Sequence, residues 1–329
     1  MKSVISVIIP VYNGEKTIRE TLESVLNQSF SLIEVIIIND GSTDATLEII
    51  QSISDSRLQV FSYPNSGIAV SRNRGIAKAS GEYIAFIDAD DLWKPDKLKF
   101  QVNTLEQNSE AAVAYSWCDH IDESSRFLRS GSRFTANGDV YSKLLVANFL
   151  ENGSNPLIRA DALASIGGFE ASLSPAEDWD LWLRLARQYH FVVIPYPQVL
   201  YRISSTSLSS NILKMEVVSL QIIKCAFSQA PESLQHLSKY SIGNLYKYLL
   251  YKILEKPSEK NTPIICLRFL WNIVKNDSSI LFSKLFVKIL LKILMITLLN
   301  NHQKQVFMQK FRRFSDTSTL LGYLKFDNT

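Results

Sequence analysis

The sequence predicts an α/β protein, with a mostly parallel sheet flanked by helices over residues 1–210 and a helical region over 211–329. Three observations predict it. Runs of Ile and Val recur without apolar/polar alternation, the mark of strands buried on both faces. Each run is followed by a stretch of helical period, the order expected of a parallel sheet. The charge also divides: residues 1–210 sum to −7 and the remainder to +10, within a total of +3. At 329 residues and 46% hydrophobic, the chain has the apolar surface to offset chain entropy, which excludes collagen-like, low-complexity and disordered classes.

Ser6-Val7-Ile8-Ile9-Pro10-Val11 reads as the first strand and Thr17–Leu26 as the helix after it. Glu34–Ile38 and Ala45–Ile53 repeat the pair, and Leu58–Tyr63 with Ala69–Ala79 repeats it again after the Asn65-Ser66-Gly67 turn. Tyr83–Ile87 is a strong fourth strand, and Pro95 opens a helix to about Glu106. Later, Ser174-Pro175-Ala176-Glu177 fits a capping box before a helical run at Leu181–Tyr189. The serine-rich stretch Ser204–Ser210 marks the domain boundary. Three scattered cysteines, Cys118, Cys225 and Cys266, form no CxxC pair, so a reducing compartment is expected. Met1-Lys2-Ser3 leads directly into a strand with no long apolar run, so no signal peptide is expected and the chain is placed in the cytoplasm.

In a parallel sheet ligands bind beyond the carboxyl ends of the strands. Those ends read Tyr12-Asn13-Gly14, Asn39-Asp40-Gly41-Ser42, Pro64-Asn65 and Asp88-Ala89-Asp90-Asp91. Each alone is an ordinary turn; four on one edge point to a site. No GxGxxG follows the first strand and no GxxxxGK[ST] occurs, which removes the dinucleotide and P-loop readings. An edge carrying Asp88, Asp90 and Asp91 would repel phosphates unless a divalent cation stood between, and carboxylates select Mg²⁺ or Mn²⁺. Asp88 and Asp90 are two apart, so in an extended segment they share one side. Arg72 and Arg74 could add positive charge near a diphosphate. Asp178, which the capping box does not use, could be held ionised by the helix dipole and serve as a base.

The segments SVIIPVYNGEKTI (6–18), EVIIINDGSTDAT (34–46), GIAVSRNRGIAKASGEYIAFIDADDLWKPDKL (67–98), IGGFE (166–170) and EDWDLWLRLA (177–186) together resemble glycosyltransferase family 2. The resemblance covers about the first 210 residues. It implies a GT-A fold and inverting transfer of a sugar from a nucleotide-diphosphate donor, a UDP-sugar first, to a glycan or lipid-linked acceptor in surface polysaccharide assembly. It implies that Val11, Tyr12 and Asp40 hold the base, that Arg72 lies beside the nucleotide, and that Asp88 lies near the ribose. Asp90 is the implied ligand of Mg²⁺ or Mn²⁺, and Asp178 the implied catalytic base. No nucleic-acid partner is expected. Two departures stand out. Ser204 falls where many members carry a His in a YRxHxxSxS-like segment, which bears on metal affinity. No QxxRW follows the base segment and no set of membrane spans is present, as expected of an enzyme adding one sugar per encounter. The other readings are a nucleotidyltransferase, which lacks its Gly- and Lys-rich loop here, and a non-catalytic nucleotide-sugar-binding protein.

Several residues admit a plainer role. His120 follows Cys118 and Asp119 but lacks further ligands at metal spacing, and His190 reads as a polar residue at a helix end. Trp179 and Trp182 either stack on an acceptor sugar or pack the core. Asn148–Pro156 is a candidate acceptor wall. Ile280–Leu299 holds fifteen large apolar residues with Lys284, Lys288 and Lys292 at intervals of four. Its side chains contribute roughly −5 to −9 kcal/mol to insertion against roughly +7 to +10 for the lysines, which disfavours a span. The lysines would form one cationic stripe, turned to solvent on a packed helix or toward anionic head groups on an interfacial one. The interfacial reading places the chain peripherally on the inner face of the membrane, with Lys304, Lys310, Arg312 and Arg313 adding charge.

Overall fold

The computed structural model describes residues 4–204, 211–255, 262–299 and 319–322. The chain divides into two compact units, one of Met1–Leu144 with Asn148–Ser207 and one of Leu145–Ala147 with Leu208–Thr329. Ser205–Ser210 of the serine-rich stretch, and Lys304, Lys310, Arg312 and Arg313, lie outside the described residues.

The first unit is built on one sheet. Strands β1 (Ile5–Val11), β2 (Ile33–Asn39), β3 (Leu58–Ser62) and β4 (Tyr83–Phe86) run parallel in the order β3-β2-β1-β4. Their crossovers are α1 (Ile18–Leu26), α2 (Thr46–Gln51) and α3 (Ile68–Ile76). Every residue of β1, β2 and β4 is buried, as their unbroken Ile and Val runs require. Val11 pairs with Asn39 and Asn39 with Ser62, so the polar strand ends share one edge. On α3, a Cβ on Gly75 would come within 2.3 Å of the Ile8 side chain. Only glycine lets α3 sit that close to β1.

Beyond β4 the sheet turns antiparallel. After β5 (Leu92–Trp93) and α4 (Lys97–Gln107) come β6 (Ala111–Ile121), β7 (Phe127–Ser130), α5 (Tyr141–Val146), β8 (Leu157–Arg159) and α6 (Ala160–Ile166). Helix α7 (Glu177–Ala186) and the long β9 (His190–Arg202) close the unit. The path continues β4-β8-β6-β9-β5, with β7 on β6. The β4–β8, β8–β6, β6–β7 and β9–β5 pairings are antiparallel, while β6–β9 is parallel.

Two loops at the polar edge are tied together. Asn13 accepts at Oδ1 from the Thr43 amide (2.8 Å), and its own amide donates to the Ser42 hydroxyl. The Gly14 amide donates to Thr46 Oγ1, the Glu15 amide to Asp44, and the Ala45 amide to the Glu15 carboxylate. Two turns thus become one cross-linked surface.

The second unit is helical: α8 (Ile212–Gln229), α9 (Ser238–Glu255), α10 (Thr262–Asn276) and α11 (Lys284–Leu298). Helix α9 packs against α8 and α10, burying Leu249, Leu250, Leu254, Phe269 and Ile273. A buried pair, Lys247 Nζ to Asp277 Oδ2 at 2.8 Å, lies in this core. Asp277 also caps the turn Ser278–Phe282 by accepting from the Ser279 amide. The three cysteines are free. Among the described residues, no helix is long and apolar enough to cross a membrane.

Candidate active site

The site grows from five consecutive residues of α3, Ser71-Arg72-Asn73-Arg74-Gly75, seated on β1 by that glycine. Asn73 donates to the Phe169 carbonyl and accepts from its amide, both at 2.8 Å, which pins the IGGFE loop. Arg74 reaches back to Asp40 at 3.2 Å and lies over the Tyr63 ring. Asp40, buried after β2, also accepts from the Ser66 and Gly67 amides that open α3 (3.0 and 2.8 Å). Beside it, Val11 is buried and Tyr12 is 53% exposed.

Arg72 is the hub. It is buried, its guanidinium over Phe169, and it forks to Asp88 Oδ1 (2.6 Å) and Glu177 Oε1 (2.8 Å). Burial alone would lower its pKa, but Asp88 and then Glu177 more than offset that and raise it further. Gly153 makes room: a Cβ there would meet Arg72 Nη2 at 2.7 Å. Among the described residues, Arg72 Nε and Glu177 Oε2 have no hydrogen-bond partner, so the pair keeps unused polar capacity.

The carboxylates do not lie along an extended strand. Residues 88–91 close a turn, with the Asp91 amide donating to the Asp88 carbonyl at 3.0 Å, and this turn rather than a two-residue repeat brings Asp88 and Asp90 together. The Ser154 hydroxyl accepts from the Asp88 amide and donates to the fully buried Asp91, so Asp91 braces the turn from beneath. Burial, reinforced by Asp90 and Asp88, pushes the Asp91 carboxyl well up. Burial and the charge of Asp88 push Asp90 up to about 6. No other described residue donates to the Asp90 carboxylate. That hard oxygen donor beside a second carboxylate fits Mg²⁺ or Mn²⁺ drawing its remaining ligands from substrate phosphates. Among the described residues, no group of three or more His, Cys, Asp and Glu side chains is arranged to hold a metal unaided.

Asp178 opens α7. Its carboxylate accepts from the Trp179 amide at 2.6 Å and is half-buried. Here the helix-dipole expectation fails. Burial, then the charge of Glu177, outweigh Arg72 and the amide, raising Asp178 to about 7. The capping box fails too. Helix α7 begins at Glu177 after Ala176, the Ser174–Pro175 peptide is cis, and the Glu177 carboxylate is committed to Arg72. Trp179 and Trp182 pack inward, Trp179 donating to the Leu144 carbonyl. Within the segment 148–156, residues 152–155 are buried, with Ser154 bonded to Asp88 and Asp91 of the turn. His120 is buried edge-on to Tyr201 and 3.6 Å from Glu151, and His190 is the first residue of β9.

One residue escaped the sequence reading. Buried Arg202, at the end of β9, donates from Nε to the Asp90 carbonyl (2.6 Å) and from its amide to Asp91 (2.9 Å). It also reaches Glu20 on α1 at 2.9 Å. It fixes the backbone that presents Asp90. The signal in the sequence is its place in the Tyr201-Arg202 segment, since its carboxylate partners are all distant along the chain.

Solved structures share this fold. The S. aureus TarS fragment 1–349 in complex with UDP-GlcNAc matches with a TM-score of 0.61 at 21% identity, covering 94% of this chain and 92% of that one. The mannosyltransferase PcManGT from Pyrobaculum calidifontis, in complex with GDP-Man and Mn²⁺, matches at 0.59 and 17%, covering 98% and 88%. The fold is that of the GT-A transferases. The family model for glycosyltransferase-like family 2 matches residues 6–253, and the chain belongs to that family. Among curated relatives, an uncharacterised glycosyltransferase of Rickettsia typhi is 34% identical over 56% of this chain and 59% of its own length. The putative teichuronic acid biosynthesis glycosyltransferase TuaG of Bacillus subtilis is 44% identical over 35% and 46%. Chondroitin synthase of Escherichia coli is 30% identical over 60% and 29%. The chain thus spans less than two thirds of each of these relatives.

Proposed function

We propose that this chain transfers a sugar from a nucleotide-diphosphate donor to an acceptor hydroxyl with inversion, one sugar per encounter. The observation that carries it is Arg72, which ties the Asp88–Asp90 turn to Glu177 and so sets the neighbouring Asp178, raised to about 7, beside that turn. A carboxylate with that pKa is half-ionised near neutrality and can take a proton there. The acceptor oxygen attacks the anomeric carbon as the bond to the diphosphate breaks, and its proton passes to Asp178. Val11, Tyr12 and Asp40 border the base, with Arg74 holding Asp40 in place. Asp88, oriented by Arg72, faces the ribose. Asp90 would hold Mg²⁺ or Mn²⁺, which when bound neutralises charge on the departing diphosphate. The UDP-GlcNAc and GDP-Man complexes of structural neighbours support a nucleotide-sugar donor, a UDP-sugar first. The names of TuaG and chondroitin synthase favour a glycan or lipid-linked acceptor in polysaccharide assembly.

The test is slow hydrolysis of a panel of nucleotide sugars, with Mn²⁺ and with chelator, for the wild type and Asp90→Ala. Release of the nucleoside diphosphate from one donor, dependent on metal and lost in Asp90→Ala, supports the reading. Tight metal-dependent donor binding by Asp90→Ala in calorimetry, or release of a nucleoside monophosphate instead, would refute it.

A further inference from the structure

The second unit leaves a surface that its own packing does not explain. Helix α11 buries Leu285, Ile289, Lys292 and Ile293 on one side. On the opposite side Val287, Leu291, Leu294 and Leu298 stand in solvent, with Leu298 70% exposed. At 100° per residue these four fall within about 60° of one another, so the helix is apolar on two faces and packed on one. Helix α10, packed against it, does the same: Ile264, Leu267 and Trp271 project outward, Trp271 at 69% exposure. Phe282, in the turn joining the two helices, is 92% exposed. Bulky side chains this exposed on two adjacent helices and the turn between them mark a contact surface.

The charges around it choose the partner. The cationic stripe read from the sequence does not form, because Lys292 lies on the packed side, 3.6 Å from Glu255. Lys284 is exposed and Lys288 half-buried, flanking the apolar stripe of α11, and Lys275 is exposed at the end of the α10 stripe. Neither helix contains an acidic residue. A second copy of this chain would set lysine against lysine across the apolar contact. A surface that accepts Trp, Phe and Leu and also supplies negative charge is complementary.

We propose that the outer face of α10 and α11 docks on an anionic lipid bilayer, with the helices in the plane of the interface. Apolar side chains enter the acyl boundary while the lysines meet head groups, the arrangement of an interfacial amphipathic helix.

The experiment is sedimentation of the full chain with vesicles of equal parts phosphatidylglycerol and phosphatidylcholine, and with phosphatidylcholine alone, at low and high salt. The expected result is binding to the anionic vesicles that high salt releases. Leu291→Glu with Leu294→Glu should weaken partitioning at least about tenfold, and so should Lys284→Glu with Lys288→Glu, which leaves the apolar face intact. Thermal unfolding reports whether each pair remains folded, and partitioning is read without reference to catalysis. Absence of binding to anionic vesicles, or binding unchanged by both pairs, would overturn the proposal. So would a stable dimer in solution that the leucine pair dissociates, since the face would then belong to a second copy.

Discussion

Buried charge is used differently in the two units. In the helical unit, Lys247 and Asp277 meet at 2.8 Å inside a helix core, and the pair joins α9 to the residue after α10. In the α/β unit, Arg72 holds Asp88 and Glu177 at once, and the residue next to Glu177 is Asp178. The first arrangement pairs one acid with one base. The second leaves one carboxylate unneutralised at the edge of the sheet. A buried ion pair adds little net stability, but a charge left over from one is a reactive group.

The largest effect should come from removing that leftover charge. Asp178→Asn is expected to lower turnover about 10²–10⁴-fold with donor binding nearly intact. Wild-type-like turnover in the purified variant would remove Asp178 from the chemistry. The same substitution should raise stability above neutral pH. The folded Asp178 pKa of about 7 exceeds the unfolded value of about 4, so the folded state keeps a proton that the unfolded state releases. That contribution is full below pH 4 and is lost as pH rises through 7. Urea unfolding at pH 5 and pH 8 should therefore separate the two proteins far more at the higher pH.

Breaking the hub comes next. Arg72→Ala strands Asp88 and Glu177 and should cost about 3–5 kcal/mol in urea unfolding, with activity lost even where the fold survives. Glu177→Gln is subtler. Glu177 helps raise Asp178, so the acid limb of the rate profile should move to lower pH, whereas a Glu177 that merely packs would change rates without moving it. The smallest effect belongs to the Lys247–Asp277 pair. Lys247→Met with Asp277→Asn keeps the cap on Ser279 and removes both charges, so stability should stay within about 1 kcal/mol and turnover should not change. A large loss of turnover there would erase the contrast between the units.

The contrast also sorts what the sequence could reveal. Strands β1 to β4 were legible because burial on both faces demands long Ile and Val runs, and α1 to α4 because their periods are clean. No strand was read past Asp91. β8 is three residues long, and β9 contains Pro195 and Pro197, with irregular register against β6 near the latter. Their pairing is set by partners distant in sequence, which local pattern cannot register. Among the candidate site residues, Asp88 and Asp90 are legible by type and spacing and Asp178 by its place in the first turn of a helix. Glu177 reads as a cap residue in the sequence because its true partner, Arg72, is 105 residues away. Arg202 reaches Asp90 across 112 residues, and only its place in the Tyr201-Arg202 segment marks it in the sequence.

The tie between the two edge loops carries a further consequence. Asn13, Gly14 and Glu15 exchange hydrogen bonds with Ser42, Thr43, Asp44, Ala45 and Thr46, so neither loop can open without breaking bonds to the other. They should behave as one cooperative unit in amide exchange, with similar protection for the Gly14 and Thr43 amides despite their separation along the chain. Severing a single strut, as in Asn13→Ala, would then raise exchange in both loops together and leave β3 and α4 at their native rates.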